Sequence, residues 1–192
     1  GQSARQPDGP VRRQGDRCPG GEDRGASRKG GQSHRGVGRW RSSAVSRAGD
    51  GVGATLNIPM PAYTGDAAFT HVYEELVLRA VRRFAPALII VSAGYDCHWR
   101  DPLAPMLMSV TGYARLAQIV YALADEVCAG RLVCALEGGY DLLALAASVV
   151  ATFRVLQGRF DQIHDPLGTQ SEAAYDLDSL ISVLERTHPL FT

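Results

Sequence analysis

The sequence is poor in features that would fix its class at once. It has only four cysteines, Cys18, Cys97, Cys128 and Cys134, and no two form a Cys-x-x-Cys pair. A reducing compartment suits such a chain better than a disulfide framework. No apolar stretch is long enough to span a bilayer, and the first residues lack the apolar core of a signal peptide. A cytoplasmic location with no membrane partner is the expectation. Net charge is also lacking, with 20 Lys and Arg against 20 Asp and Glu. That balance is a cancellation: residues 1–50 are arginine-rich and the remainder is acidic by the same margin. What the chain does have is 192 residues with 45% hydrophobic content, enough for one domain with a core.

Residues 1–49 are rich in Gly, Arg, Ser and Gln and nearly free of aliphatic side chains. Such a segment cannot bury enough apolar surface to offset ordering entropy, so disorder is expected. A nucleic-acid-binding arm is the functional alternative. It ranks low, because Trp40 is the only aromatic there and no Arg-Gly-Gly tripeptide occurs. A sharper reading follows from the abrupt change of composition near Gly49-Asp50-Gly51: residues 1 to about 48 resemble GC-rich coding DNA read in a wrong frame. Translating the DNA in the other two frames tests this. The chain is therefore divided into an Arg/Gly-rich segment, 1–49, and a folded part, 50–192.

From Gly51 onward the pattern is α/β. Residues 54–59 form a short strand or extended segment ended by Pro59 and Pro61. Phe69 to Phe84 has helical spacing, with Val72, Leu76, Ala80 and Phe84 on one stripe and Asp66 or Thr70 as candidate caps. Arg79, Arg82 and Arg83 in its last turns are read as a solvated face. Leu88-Ile89-Ile90-Val91 is a β-branched run bounded by Ser92-Ala93-Gly94, as a fully buried parallel strand should be. A helix follows over about Gly112–Ala129, started by Ser109 or Thr111 and stopped by Gly130. A second buried strand is expected at Leu132–Leu136, a helix at Leu142–Leu156 stopped by Gly158, and a short helix at Asp178–Thr187. Strand, helix, strand, helix is the pattern of a parallel sheet with right-handed crossovers.

Ligands of open α/β sheets bind beyond the carboxyl ends of the strands. There the first strand runs into Tyr95, Asp96, Cys97, His98, Trp99, Arg100 and Asp101, and the second into Gly138, Gly139 and Tyr140. A carboxylate and an imidazole are potential zinc ligands, a phenol can donate to an oxyanion, and paired glycines let backbone approach a ligand. Each also has a bland explanation. Asp96 could cap a turn, His98 could fill a loop, Tyr140 could be a core aromatic, Asp101-Pro102 is a common turn opener, and Gly138-Gly139 could simply make a tight bend. The residue types alone do not name a reaction.

Ser92-Ala93-Gly94-Tyr95-Asp96-Cys97-His98-Trp99-Arg100-Asp101-Pro102-Leu103 closely resembles a signature of the histone deacetylase and acetylpolyamine amidohydrolase family. Leu136-Glu137-Gly138-Gly139-Tyr140-Asp141 resembles its C-terminal signature, and Asn57-Ile58-Pro59-Met60-Pro61 with Thr64-Gly65-Asp66 the stretch before both. The resemblance covers about residues 50–160 and is nearest in flavour to bacterial deacetylase-like amidohydrolases. It implies an arginase/deacetylase-like parallel sheet with flanking helices, and Zn²⁺-dependent hydrolysis of an N-acetyl amide on lysine or a polyamine. Carried over by position, it implies Asp96 as a zinc ligand and Tyr140 as the oxyanion donor. Pro102 and Leu103 would line the acyl-lysine channel, with Gly138 and Gly139 flanking the site. His98 is not implied as a ligand.

The family also brings a tandem His-His pair and an Asp-x-His zinc pair from upstream, and neither has a counterpart before Asp96, where only His34 and His71 occur. The chain thus resembles the C-terminal part of the domain, with an incomplete sheet. It is expected to bind zinc poorly and to be inactive by itself, the alternative being an inert fragment or binding module. An arginase-like di-metal site ranks low, since the only Asp-x-Asp, Asp176-Leu177-Asp178, lies in the tail. Half a sheet leaves an unpaired strand and an uncovered apolar face, so self-association is a further expectation.

Overall fold

The first helical stretch shows how the apolar spacing shapes the backbone. In this computed structural model, which describes residue 51 and residues 53–192, the stretch runs without a break as α1 (Asp66–Val72), a π-helical segment (Tyr73–Val77) and α2 (Leu78–Phe84). The expected disordered segment, 1–49, lies outside the described residues. Ala68, Val72, Leu76 and Ala80 are all buried, a repeat of four. On an ideal α-helix each such step overshoots a full turn by about 40°. A wider π-helical turn in the middle takes up part of that drift and keeps Leu76, which is fully buried, on the inward face.

The start of α1 differs from the expectation. Neither Asp66 nor Thr70 caps it; Gly65 occupies the cap position without a side-chain bond. A tail residue does the work instead. The Glu172 carboxylate accepts from the amides of Gly65 at 2.6 Å, Ala67 at 2.9 Å and Ala68 at 3.2 Å. Asp66 turns toward the next helix and accepts from Ser109 N at 2.8 Å and Ser109 Oγ at 2.5 Å. Both pairings join residues far apart in sequence, so local spacing could not show them. The arginines of α2 also differ from a merely solvated face. They are exposed but paired: Arg79 with Glu185, Arg82 with Glu126 at 2.8 Å, and Arg83 with the Leu190 carbonyl at 2.8 Å.

Helix α2 closes on Ala85 in the left-handed region, ahead of Pro86. Strand β1 (Ile89–Ala93) follows, then α3 (Val110–Cys128), β2 (Leu132–Leu136) and α4 (Leu142–Leu156). The strands pair in parallel, from Ile89 opposite Leu132 to Ala93 opposite Leu136. Ser109 caps α3, its Oγ accepting from Gly112 N at 3.0 Å, and Asp141 caps α4, accepting from Ala144 N at 2.9 Å. The two helices pack through small side chains, with Ala114 and Ala151 buried between Val110 and Val155. Residues 54–59 form no strand; Leu56 and Ile58 instead pack on the core of α1 and α5 (Leu177–Thr187), built on Val72, Leu76, Leu180, Ile181 and Leu184.

The strands are not fully buried as the apolar runs suggested. Ile90 is 64% exposed and Leu136 62%. Val91, Ala93, Leu132 and Cys134 share a cavity of about 160 Å³ with α3 residues Leu116 and Val120 and α4 residues Thr152 and Leu156. The other face, carrying Ile90 and Val133, has no helix over it among the described residues, so a run that is apolar on both faces is covered on one. No described helix is long and apolar enough to cross a membrane.

Candidate functional site

The two strands end side by side, and backbone pairing continues one step into the loops. Glu137 N donates to Ala93 O at 3.1 Å, and Tyr95 N to Gly138 O at 2.9 Å. Beyond that pair lie the residues singled out from the sequence. Asp96 is half-buried, and its carboxylate sits against bare backbone. A Cβ at Gly138 would lie 3.3 Å from Asp96 Cγ, and one at Gly94 would lie 3.0 Å from Asp96 Oδ1. Glycine at both places leaves room for the carboxylate. Among the described residues no donor satisfies it, so Asp96 does not cap the turn; the turn is closed by His98 N donating to Tyr95 O at 3.3 Å.

Gly139 takes φ +127°, and a Cβ there would meet Leu145 Cδ1 at 3.0 Å and Tyr95 Cβ at 3.1 Å. Both the backbone angle and the space require glycine. The chain then turns outward, and Tyr140 is 56% exposed at the mouth of the loops rather than packed in the core. Pro102 and Leu103 are exposed on the neighbouring loop.

One side chain joins the two loops. The Asp101 carboxylate accepts from Leu103 N through Oδ1 at 3.0 Å, and through Oδ2 from Tyr140 N at 2.6 Å and Asp141 N at 3.3 Å. Asp-Pro at a turn is too common to announce such a role, and the cross-loop half of the Asp101 bonding is visible only in three dimensions. A second, exposed link runs from Arg100 Nε to Asp141 Oδ2 at 3.2 Å.

The imidazole of His98 does not reach this edge. It is fully buried, stacks on Trp99, and its Nδ1 accepts from Arg100 N at 3.2 Å. Burial holds its pKa below the ordinary value, against the opposing field of Asp165 and Asp141. Cys97 is equally unsuited to chemistry. Burial first, then the charges of Asp96 and Asp101, push its thiol up to about 11, so it stays protonated at neutral pH. Behind the loop Tyr95 is anchored by its hydroxyl on Thr152 Oγ1 at 2.9 Å and edge-to-face on Tyr113.

A catalytic zinc needs three protein ligands and an open position. Among the described residues no group of three or more His, Cys, Asp or Glu side chains could hold a metal ion. The single carboxylate at the cleft does not fit zinc by itself.

The histone deacetylase domain profile matches residues 26–156. Over 110 residues the chain is 48% identical to histone deacetylase 14, chloroplastic, of Arabidopsis thaliana, a match covering 57% of this chain and 26% of that protein. It is 39% identical over 148 residues to histone deacetylase 10, chloroplastic, of Oryza sativa subsp. japonica, covering 74% and 33%. It is 33% identical over 117 residues to a histone deacetylase-like amidohydrolase of Pseudomonas aeruginosa, covering 61% and 31%. The chain thus spans about a quarter to a third of the length of these relatives. Among solved structures, that of the histone deacetylase Clr3 superposes with a TM-score of 0.63 at 26% identity, covering 77% of this chain and 24% of that one. The HDA15 HD domain gives 0.58 at 28% identity, covering 73% and 38%. The profile match over more than half of the chain, together with these relatives and superposed structures, means that the chain belongs to the histone deacetylase domain family, with part of its arginase/deacetylase-like sheet.

Proposed function

We propose that residues 53–192 form the C-terminal wall of an amidohydrolase site that removes acetyl groups from lysine or polyamine nitrogen. The observation that carries this is the Asp96 carboxylate: half-buried, without a donor among the described residues, and seated on the glycine backbone that leads to Tyr140. A half-buried carboxylate that no protein donor occupies keeps its oxygens open to solvent or to a bound cation. In this reading Asp96 would supply one ligand of a zinc shell that the described residues do not complete.

What the chain's own groups contribute follows from their chemistry. The Tyr140 hydroxyl donates a hydrogen bond to the oxygen that gains charge when water adds to the acetamide carbon. Losing one such donor costs roughly 3 kcal/mol, about a hundredfold in turnover. Gly138 and Gly139 present flat backbone on which the planar amide can lie. Pro102 and Leu103 offer apolar surface to the aliphatic chain of the substrate.

The want of a three-ligand cluster among the described residues favours a second reading, an inert deacetylase-fold module. Zinc content and acetate release separate the two. The purified chain is assayed on an acetyl-lysine peptide and an acetylpolyamine, alone and mixed with the ligand-bearing segment of a relative. Acetate release in either preparation, reduced about a hundredfold by Tyr140→Phe, supports the enzyme. No release in both, at matched folding and zinc supply, leaves the inert module.

A further inference from the structure

The side chain that links the two loops is more deeply buried than the residues it links. Asp101 is 9% exposed, and both of its oxygens are committed. A turn opener at an Asp-Pro step needs only the local bond, here Oδ1 to Leu103 N at 3.0 Å. The bonds of Oδ2 to Tyr140 N at 2.6 Å and Asp141 N at 3.3 Å serve no turn; they cross from one strand's loop to the other's. Burying a carboxylate is costly without such donors, and charge-assisted bonds of this length are the strong kind.

The loop is held at Gly138, whose carbonyl accepts from Tyr95 N, and at Asp141, which caps α4, and Tyr140 lies between these two points. Two glycines precede Tyr140, and Gly139 lies in the left-handed region. Among the described residues the Tyr140 amide has no other acceptor. The parallel link from Arg100 to Asp141 is exposed, and exposed ion pairs contribute little.

Resting on the functional reading above, we propose that Asp101 is a positioning residue for the hydrolytic step: its carboxylate fixes the Tyr140 loop against the Asp96 loop and so sets where the phenol meets the substrate oxygen. It touches no reacting atom and acts through Tyr140. Asp101→Asn isolates this role, because the amide has nearly the same volume but one acceptor. It can satisfy Leu103 or Tyr140 and Asp141, and it turns an N–H toward the side it leaves.

Hydrogen exchange on the full chain reads the loop without any need for turnover. In Asp101→Asn the amides of Tyr140 and Asp141 exchange at least roughly tenfold faster, while those of Leu123 and Ala124 inside α3 keep their rates. Asp101→Ala, which leaves no acceptor on either side, removes the link outright, and unchanged exchange at Tyr140 and Asp141 in both variants overturns the proposal. Should Asp101→Asn fail to fold, the wild-type protein carries the test: its Tyr140 amide is protected and resonates downfield of the Asp141 amide, and an unprotected Tyr140 amide overturns the proposal. In a preparation that releases acetate, Asp101→Asn lowers kcat roughly tenfold or more with KM nearly unchanged, yet costs less than about twofold in a Tyr140→Phe background. An equal loss in both backgrounds overturns action through Tyr140. If Tyr140→Phe itself leaves acetate release untouched, the assignment of Tyr140 fails and the catalytic half of the proposal with it, while exchange alone decides whether Asp101 holds the loop.

Discussion

Gly139 shows how much of the site rests on single backbone positions. Its φ of +127° is closed to other residues, and the space a Cβ would fill is taken by Leu145 and Tyr95. Gly139→Ala should cost about 1–3 kcal/mol, read as a lower denaturant midpoint at unchanged slope. A midpoint within experimental error of the wild type would mean that the loop relaxes freely, and that Tyr140 is not held in one place. The residue scale also explains what was legible beforehand. Gly138, Gly139 and Tyr140 stand next to one another and announce a special turn. Asp101 stands in an ordinary Asp-Pro step, and only folding brings its second oxygen to a loop 39 residues further on.

At the scale of elements, two helices begin on carboxylates whose ionised form is held by the helix they start. Asp141 lies below its ordinary pKa chiefly through the Ala144 amide, with Arg100 assisting, and Asp176 through the Ser179 hydroxyl and amide. In both the folded pKa is depressed. Their stabilisation is therefore complete above the unfolded value of about 3.9 and lost as pH falls through the folded one. Asp141→Asn combined with Asp176→Asn keeps good capping residues but removes the charge. The double variant should lose less thermal stability than the wild type between about pH 5 and pH 2.5. Parallel losses in the two proteins would show that acid sensitivity arises elsewhere. Neither cap was singled out from the sequence, although an Asp directly before a helical run is a local pattern that can show one. The cap of α1 leaves no local pattern, because Glu172 comes from the tail, more than a hundred residues from the amides it accepts from.

At the scale of the molecule the open sheet decides behaviour. Ile90, Val133 and Leu136 are each at least half exposed on or beside β1 and β2, and neither strand has a second neighbour among the described residues. Exposed apolar strands with unpaired edges associate. We expect sedimentation velocity to show species that grow with protein concentration, and Ile90→Lys with Val133→Glu to shift them toward monomer. A concentration-independent monomer in the wild type would sink that expectation.

Order of elements, helix and strand limits in β2 and α4, and the pairing of two signature loops were all determined by the sequence itself. They rest on apolar period, turn residues and caps, which act over a few positions. The coverage of the sheet, the capping of α1 by Glu172, the withdrawal of His98 into the core and the bridging by Asp101 were decided only by the tertiary structure. Each depends on what a side chain meets across space, and a one-dimensional pattern carries no record of which distant backbone amide, or which missing layer, stands opposite.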